Sequence, residues 1–276
     1  MKKRNKETLI LFLLVVFIPA VVYFSFFNQT NNIVCAHTFS DDNTASVLAI
    51  IEEYKQDLYS IKNTADSDMA LARLHVGNIL DQSYVSRIAN QIYPTESLDN
   101  GDLTKSLSDL NELFSGNDAK GENSSNIVNS GGNDAIKTEA NKINSLLDEC
   151  KNMFLSDRSN KNNTVDALVI KNLLDSSLGF YETGVNTDSK GNVVSIKNSV
   201  YYQNALGLAN RSNQILNQMD SSQFQNNATK ANLFKDVHKD FLSFESLIEN
   251  KENPNAIVVL LHTSIHPNLI KLFTLK

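Results

Sequence analysis

The chain has 276 residues, with 25 Lys and Arg against 31 Asp and Glu, and no Trp. Its net charge of −6 argues against nucleic acid as a partner, because phosphate backbones are held through an excess of cations. Only four Pro and ten Gly, together with scarce strand-like alternation, lean the composition to helix.

Four cations fall in Met1–Lys6, and the 19 residues Leu9–Phe27 that follow carry no charge. At ~1.5 Å per residue such a helix nearly crosses a ~30 Å hydrocarbon core. The pattern predicts a cytoplasmic basic tip at 1–8, a transmembrane anchor or uncleaved signal at 9–27, and an extracytoplasmic remainder. Past residue 27 the chain has 21 cations and 30 anions. Val34-Cys35-Ala36 before His37 resembles a small-residue cleavage site, so secretion after Ala36 is the alternative. An apolar run longer than the ~7–15 residues of a signal core favours the anchor.

Residues 28–43 read as a polar stalk, and 44–276 as a helical bundle. Ser40-Asp41-Asp42-Asn43 supplies caps for a first helix with apolar positions Val47, Ile50, Ile51, Tyr54, Leu58 and Ile61. Asp66–Leu80 forms a second, with Leu71, Leu74, His75 and Ile79 on one stripe. A third spans Tyr84–Ile92 and stops before Pro94. Leu103, Leu107, Leu110 and Phe114 mark a fourth. Ser115–Asn133 is rich in Gly, Asn and Ser and reads as a flexible loop.

Ile136 to Phe154 resumes the helical period, and Asn163 or Thr164 caps a helix through Leu168, Ile170, Leu174 and Leu178. Gly184–Asn198 reads as a second polar loop. Tyr201–Met219 and Phe234–Ile248 are two further helices. Asn253-Pro254 caps a last one, which Pro267 ends or kinks before Leu269–Phe273 closes the chain. The sum is an all-α class: about eight amphipathic helices whose mostly short connections favour antiparallel neighbours. The spacing of a tetratricopeptide array is missing.

Cys35 lies in the stalk and Cys150 in a helix, where a small buried hydrophobe is the expected role. Export permits a Cys35–Cys150 bridge without requiring one. Five Asn-x-Ser/Thr sequons, at Asn28, Asn123, Asn162, Asn210 and Asn227, fit an exported surface.

Chemistry-bearing motifs are few. Gly-x-Ser-x-Gly, phosphate-loop and dinucleotide fingerprints do not occur. The carboxylate pairs Asp41-Asp42, Glu52-Glu53 and Asp148-Glu149 point apart on a helix and read as solvated faces. The sharpest cluster is Leu261-His262-Thr263-Ser264-Ile265-His266, whose spacing of four puts two imidazoles on one helix face. Two readings stand. They are helix-end histidines bonding the last carbonyls, or they are ligands of copper or zinc, with His75 as a third. His75 alone on an apolar stripe reads as a core histidine, and His238 faces a more solvated row. Cleavage after Ala36 would expose His37 with a free amine, a copper chelate.

Four segments carry a resemblance: Ala36-His37-Thr38-Phe39-Ser40, Asn162 to Leu168, Tyr202-Gln203-Asn204-Ala205, and His262 to Leu269. Together they resemble an uncharacterised family of exported, membrane-anchored helical proteins of ammonia-oxidising archaea, patchily from Ala36 to Lys276. Members carry Glu-His-Ala in the second helix, where this chain has Leu74-His75-Val76. The resemblance implies an archaeal cell-surface space whose redox enzymes depend on copper, and supplies no mechanism. The leading expectation is a membrane-tethered, extracytoplasmic binding or scaffold protein, more readily non-enzymatic than enzymatic, with a protein partner in the cell-surface space. The alternative is a metal-handling protein using His262, His266 and His75.

Overall fold

A computed structural model describes residues 43–80, 100–115, 130–156 and 163–275. The predicted anchor, the stalk, Cys35, His37 and the helix expected at Tyr84–Ile92 lie outside these residues.

The described chain is helical apart from one hairpin. Its elements are α1 (Asn43–Thr64), α2 (Met69–Leu80), α3 (Asn100–Ser115), α4 (Ser130–Ser156), α5 (Asn163–Gly184), β1 (Val185–Thr187), β2 (Val193–Ile196), α6 (Ser199–Gln218), α7 (Ala228–Glu249), α8 (Pro254–Leu260) and α9 (His266–Phe273). A short 3₁₀ turn, Ser221–Phe224, joins α6 to α7, and a π-turn, Leu261–Ile265, joins α8 to α9.

Asparagines start three of these helices. Asn198, Asn227 and Asn253 sit in non-helical conformations, and their side-chain oxygens accept from the backbone N–H groups of Tyr201, Lys230 and Asn255. Each satisfies a donor that the first helical turn leaves unpaired, an effect of about 1 kcal/mol. Asn227 begins a sequon, yet its carboxamide is occupied as a cap.

Two apolar clusters build the core. One gathers α5 to α9 around Leu173, Tyr181, Phe241, Phe244 and Leu269. The other gathers α1 to α4 around Tyr54, Leu58, Ile79, Phe114 and Ile143. Helix α1 belongs to both, giving Ala45, Leu48 and Ala49 to the first and Val47, Ile50, Ile51 and Tyr54 to the second. A helix enclosed on several sides must bury some of its polar positions, and α1 buries Glu52, Glu53, Asp57 and Ser60. Cys150 is a buried free thiol in the second cluster.

Three sequence expectations need correction. The Glu52-Glu53 pair is not a solvated face, since the two residues are 3% and 4% exposed. The buried face of α2 is Ala72, His75, Val76 and Ile79, while Leu74 turns outward at 60% exposure. The stripe is therefore rotated by about one position from Leu71–Leu74.

Residues 185–196, expected as loop, form an antiparallel hairpin. Its tip is closed by Asp188, whose carboxylate accepts from the backbone N–H groups of Lys190 and Asn192, and by Gly191 at φ +85°. Of the two outcomes expected at Pro267, an end or a kink, the helix is distorted and not ended. Pro267 lacks the N–H that would close on the Thr263 carbonyl, and its ring crowds that carbonyl. The chain responds with the wider π-turn, in which the His266 N–H donates to Leu261 O. The resulting rod, Pro254–Phe273, is long and apolar enough to cross a membrane. Its Ile257, Leu261, Ile265, Leu269 and Leu272 are nonetheless packed in the core.

Candidate ligand-binding site

The acids of α1 point apart, as their adjacency requires, and each meets its own partners. Glu52 is clasped by Arg211 of α6, through Nε at 2.8 Å and Nη2 at 3.2 Å, and by Lys151 Nζ of α4 at 2.7 Å. Burial alone would raise its carboxyl pKa. The Arg211 hydrogen bonds and the charges of Lys151 and Arg211 prevail and hold it below the usual carboxylate range. Glu53 accepts from Ser176 Oγ of α5 at 2.5 Å. Lys55 pairs with Asp148.

One turn further, Asp57 and His75 are both fully buried. His75 Nδ1 lies 2.7 Å from Asp57 Oδ1, and Asp57 also accepts from Asn78 Nδ2 at 2.7 Å and Asn204 Nδ2 at 3.0 Å. The other ring nitrogen, Nε2, is 2.8 Å from Gln203 Oε1. With the amide oxygen facing the ring, Nε2 donates to it; with the amide turned over, an amide N–H donates to Nε2 instead. Which ring nitrogens carry a hydrogen and how Gln203 is turned are therefore linked. A Ser–His–Asp triad would place its nucleophile at Nε2. Here Nε2 meets an amide.

Gln203 also faces outward. It lines a cleft of ≈ 770 Å³ walled by α1, α6 and the end of α7. Gln56, Ser60 and Asn63 supply the α1 wall, at spacings of four and three. Gln203, Gly207, Asn210 and Gln214 supply the α6 wall, at four, three and four. The two walls meet where the Gln56 amide lies across Gly207, so close that a Cβ there would stand 2.0 Å from it. On the α7 side, Glu245 Oε1 is buried without a hydrogen-bond partner, and burial raises that carboxyl's pKa. A shallower, more apolar depression of ≈ 570 Å³ lies between α7 and α8, at Leu242, Leu247 and Leu260.

The three histidines singled out in the sequence fall in two places. His75 is in the buried network, with both nitrogens engaged by protein groups. His262 and His266 are neighbours, their rings edge to face at 5.2 Å. His266 Nε2 lies 3.4 Å from Asp175 Oδ1 without forming a hydrogen bond, and Asp175 accepts from Lys171 at 2.8 Å. Burial, the Lys171 charge and His262 push the His266 pKa down to about 3. Among the described residues no group of three His, Cys, Asp or Glu is arranged to hold a metal ion. His238 packs edge to face on Phe234 at 4.7 Å, and burial lowers its pKa.

Sequence reasoning missed Asp57, Arg211, Gln203 and Asn204 as site residues. A signal for Asp57 was present: it lies three residues after Tyr54 and four before Ile61, a carboxylate on an apolar stripe. Arg211 carried none, since nothing in α6 alone says which acid it meets. No known protein family, curated protein or solved structure matches the chain.

Proposed function

We propose that this is a binding protein, tethered by residues 9–27 with its helical bundle outside the membrane, and that the cleft between α1 and α6 is its ligand seat. The observation that carries the reading is the polar network beneath the cleft. Buried ion pairs and amides are weak contributors to stability, and apolar replacements of equal volume are often neutral or better. In this chain they converge on one cleft wall, and Gln203 belongs to both network and wall. Side chains locked by such contacts present fixed donors and acceptors to a ligand. A cleft of ≈ 770 Å³ falls in the ordinary range of small-molecule sites. The basic tip and uncharged run of the first 27 residues support the tether, and the short connections support antiparallel helix order. The cell-surface setting of the resembled archaeal family agrees with both.

A thermal-shift screen of the full chain in detergent against amino acids, nucleosides, organic acids, sugars and short peptides tests the seat. The expected result is a class that raises the melting temperature of the wild type and not that of Gln214→Ala. Stabilisation by no class, or stabilisation that Gln214→Ala leaves intact, contradicts it. Protease added to intact cells should digest the bundle. Protection until the membrane is broken contradicts the tether.

A second reading, copper or zinc handling, draws on the 5.2 Å spacing of His262 and His266. Metal content of the purified chain that is unchanged by His262→Ala with His266→Ala removes it.

A further inference from the structure

We propose that the cleft takes a short peptide, held by its two free termini. The proposal rests on the cleft being the ligand seat and names the charges that hold a ligand there. Some of the charged residues on its walls are engaged within the protein: Arg211 with Glu52, Lys55 with Asp148. Three are not. Lys62 Nζ donates only to the amide oxygen of Asn141, at 3.1 Å. Among the described residues no base pairs with Glu245 or Glu249. Glu245 Oε1 is moreover enclosed without accepting a hydrogen bond.

These unpaired charges are segregated by sign. Lys62 stands on α1, and Glu245 and Glu249 stand one turn apart on one face of α7. Helix α6 runs between them, and both sets flank its first turns. Asn204 bonds Asp57, five residues before Lys62, and the Tyr202 hydroxyl donates to the carbonyl of Ile248, next to Glu249. A ligand with one charge answers one set and leaves the other. A ligand with an ammonium at one end and a carboxylate at the other answers both, and its ammonium supplies the donor that Glu245 Oε1 lacks. Packed helix axes stand ~8–10 Å apart, so groups on either side of α6 are too widely set for the two charges of one amino acid, which share a carbon. The ends of a di- or tripeptide, at up to ~3.3–3.6 Å per residue, reach ~7–11 Å. A cleft of ≈ 770 Å³ also leaves room for side chains between those ends, and Tyr59, 58% exposed, offers them an apolar plane.

The test is a tripeptide library with free termini, screened by thermal shift on the full chain in detergent beside N-acetylated and C-amidated copies of the same library. Titration calorimetry follows on the strongest binder. Capping either end should weaken binding about 10-fold or more, a loss of ~1.4 kcal/mol or more. An ω-aminohexanoate, which carries both charges without side chains, should bind about 10-fold or more weakly than that peptide. The variants should show a crossed pattern that a merely structural role would not produce. Glu245→Gln with Glu249→Gln should bind free and N-acetylated peptide alike and still discriminate against the C-amide. Lys62→Met should bind free and C-amidated peptide alike and still discriminate against the acetyl cap. Circular dichroism checks that each variant is folded, and the cap comparison on the wild type needs no variant. Indifference to either cap, equal binding of the ω-aminohexanoate, or cap effects that the variants leave unchanged overturn the proposal. If no peptide binds while another class stabilises the wild type and not Gln214→Ala, the peptide is discarded and the seat stands. No binding from any class discards both.

Discussion

Replacing Asp57 by Ala should cost far more than its single carboxylate suggests. Asp57 is fully buried and accepts from His75 Nδ1, Asn78 Nδ2 and Asn204 Nδ2. The substitution leaves three donors in an enclosed volume, at about 1–3 kcal/mol for each group that finds no new partner. Water entering the vacated space recovers part of this, so the expected loss is ~3–5 kcal/mol, the usual range for a broken buried pair. Against a total stability of ~5–15 kcal/mol this lowers the melting temperature by roughly 10 °C or more. Urea unfolding followed by circular dichroism reads it. A cycle with His75→Ala adds a sharper requirement, because two residues sharing one bond should couple by about 1–3 kcal/mol. A loss under ~1 kcal/mol, or strict additivity with His75→Ala, would refute the network.

Three further outcomes follow from particular contacts. Glu52→Gln should destabilise by ~3–5 kcal/mol near neutral pH, because Arg211 and Lys151 lose their shared counter-ion. Since the folded carboxyl pKa lies below the unfolded one, that stability is present above the unfolded value and is lost as pH falls through the folded value. The gap between wild type and variant should therefore close in acid unfolding curves. His266 works in the same direction for a different reason. Its folded pKa of about 3 lies below the unfolded 6.5, so the unfolded chain takes up a proton first, and stability should decline as pH drops from 6.5 toward 3. His266→Asn should flatten that decline in a pH series of melting temperatures. Gly207→Ala should change binding more than stability, because the atoms nearest the new Cβ belong to the movable end of Gln56. Calorimetry and thermal melts on the same sample separate the two effects.

The helical class and most helix cores were readable because a 3.6-residue apolar period reports burial directly. Tyr54, Leu58, Ile61, Leu110, Phe114, Phe241 and Phe244 all sit where that period puts them. The period fails where a helix is enclosed on more than one side. In α1, Glu52 and Glu53 look solvated because their partners, Arg211, Lys151 and Ser176, stand more than 90 positions away in the chain. The hairpin escaped because its strands have three and four residues, too short for alternation to register, although Gly191-Asn192 marked the turn. Leu74 misled because one large apolar side chain outweighed the smaller Ala72 and Val76 in locating the stripe. The cleft was invisible for the same reason as Arg211. Its walls come from helices about 150 positions apart, and each wall alone reads as an ordinary polar face.

Amide hydrogen exchange of the full chain, with and without the strongest ligand from the screens, tests the cleft as the seat most directly. Binding should slow exchange in residues 56–64 of α1 and 203–214 of α6 together, and in the α7 segment that holds Glu245 and Glu249. Protection confined to 239–247 and 257–262, around Leu242 and Leu260, would place the ligand in the other depression and contradict the account.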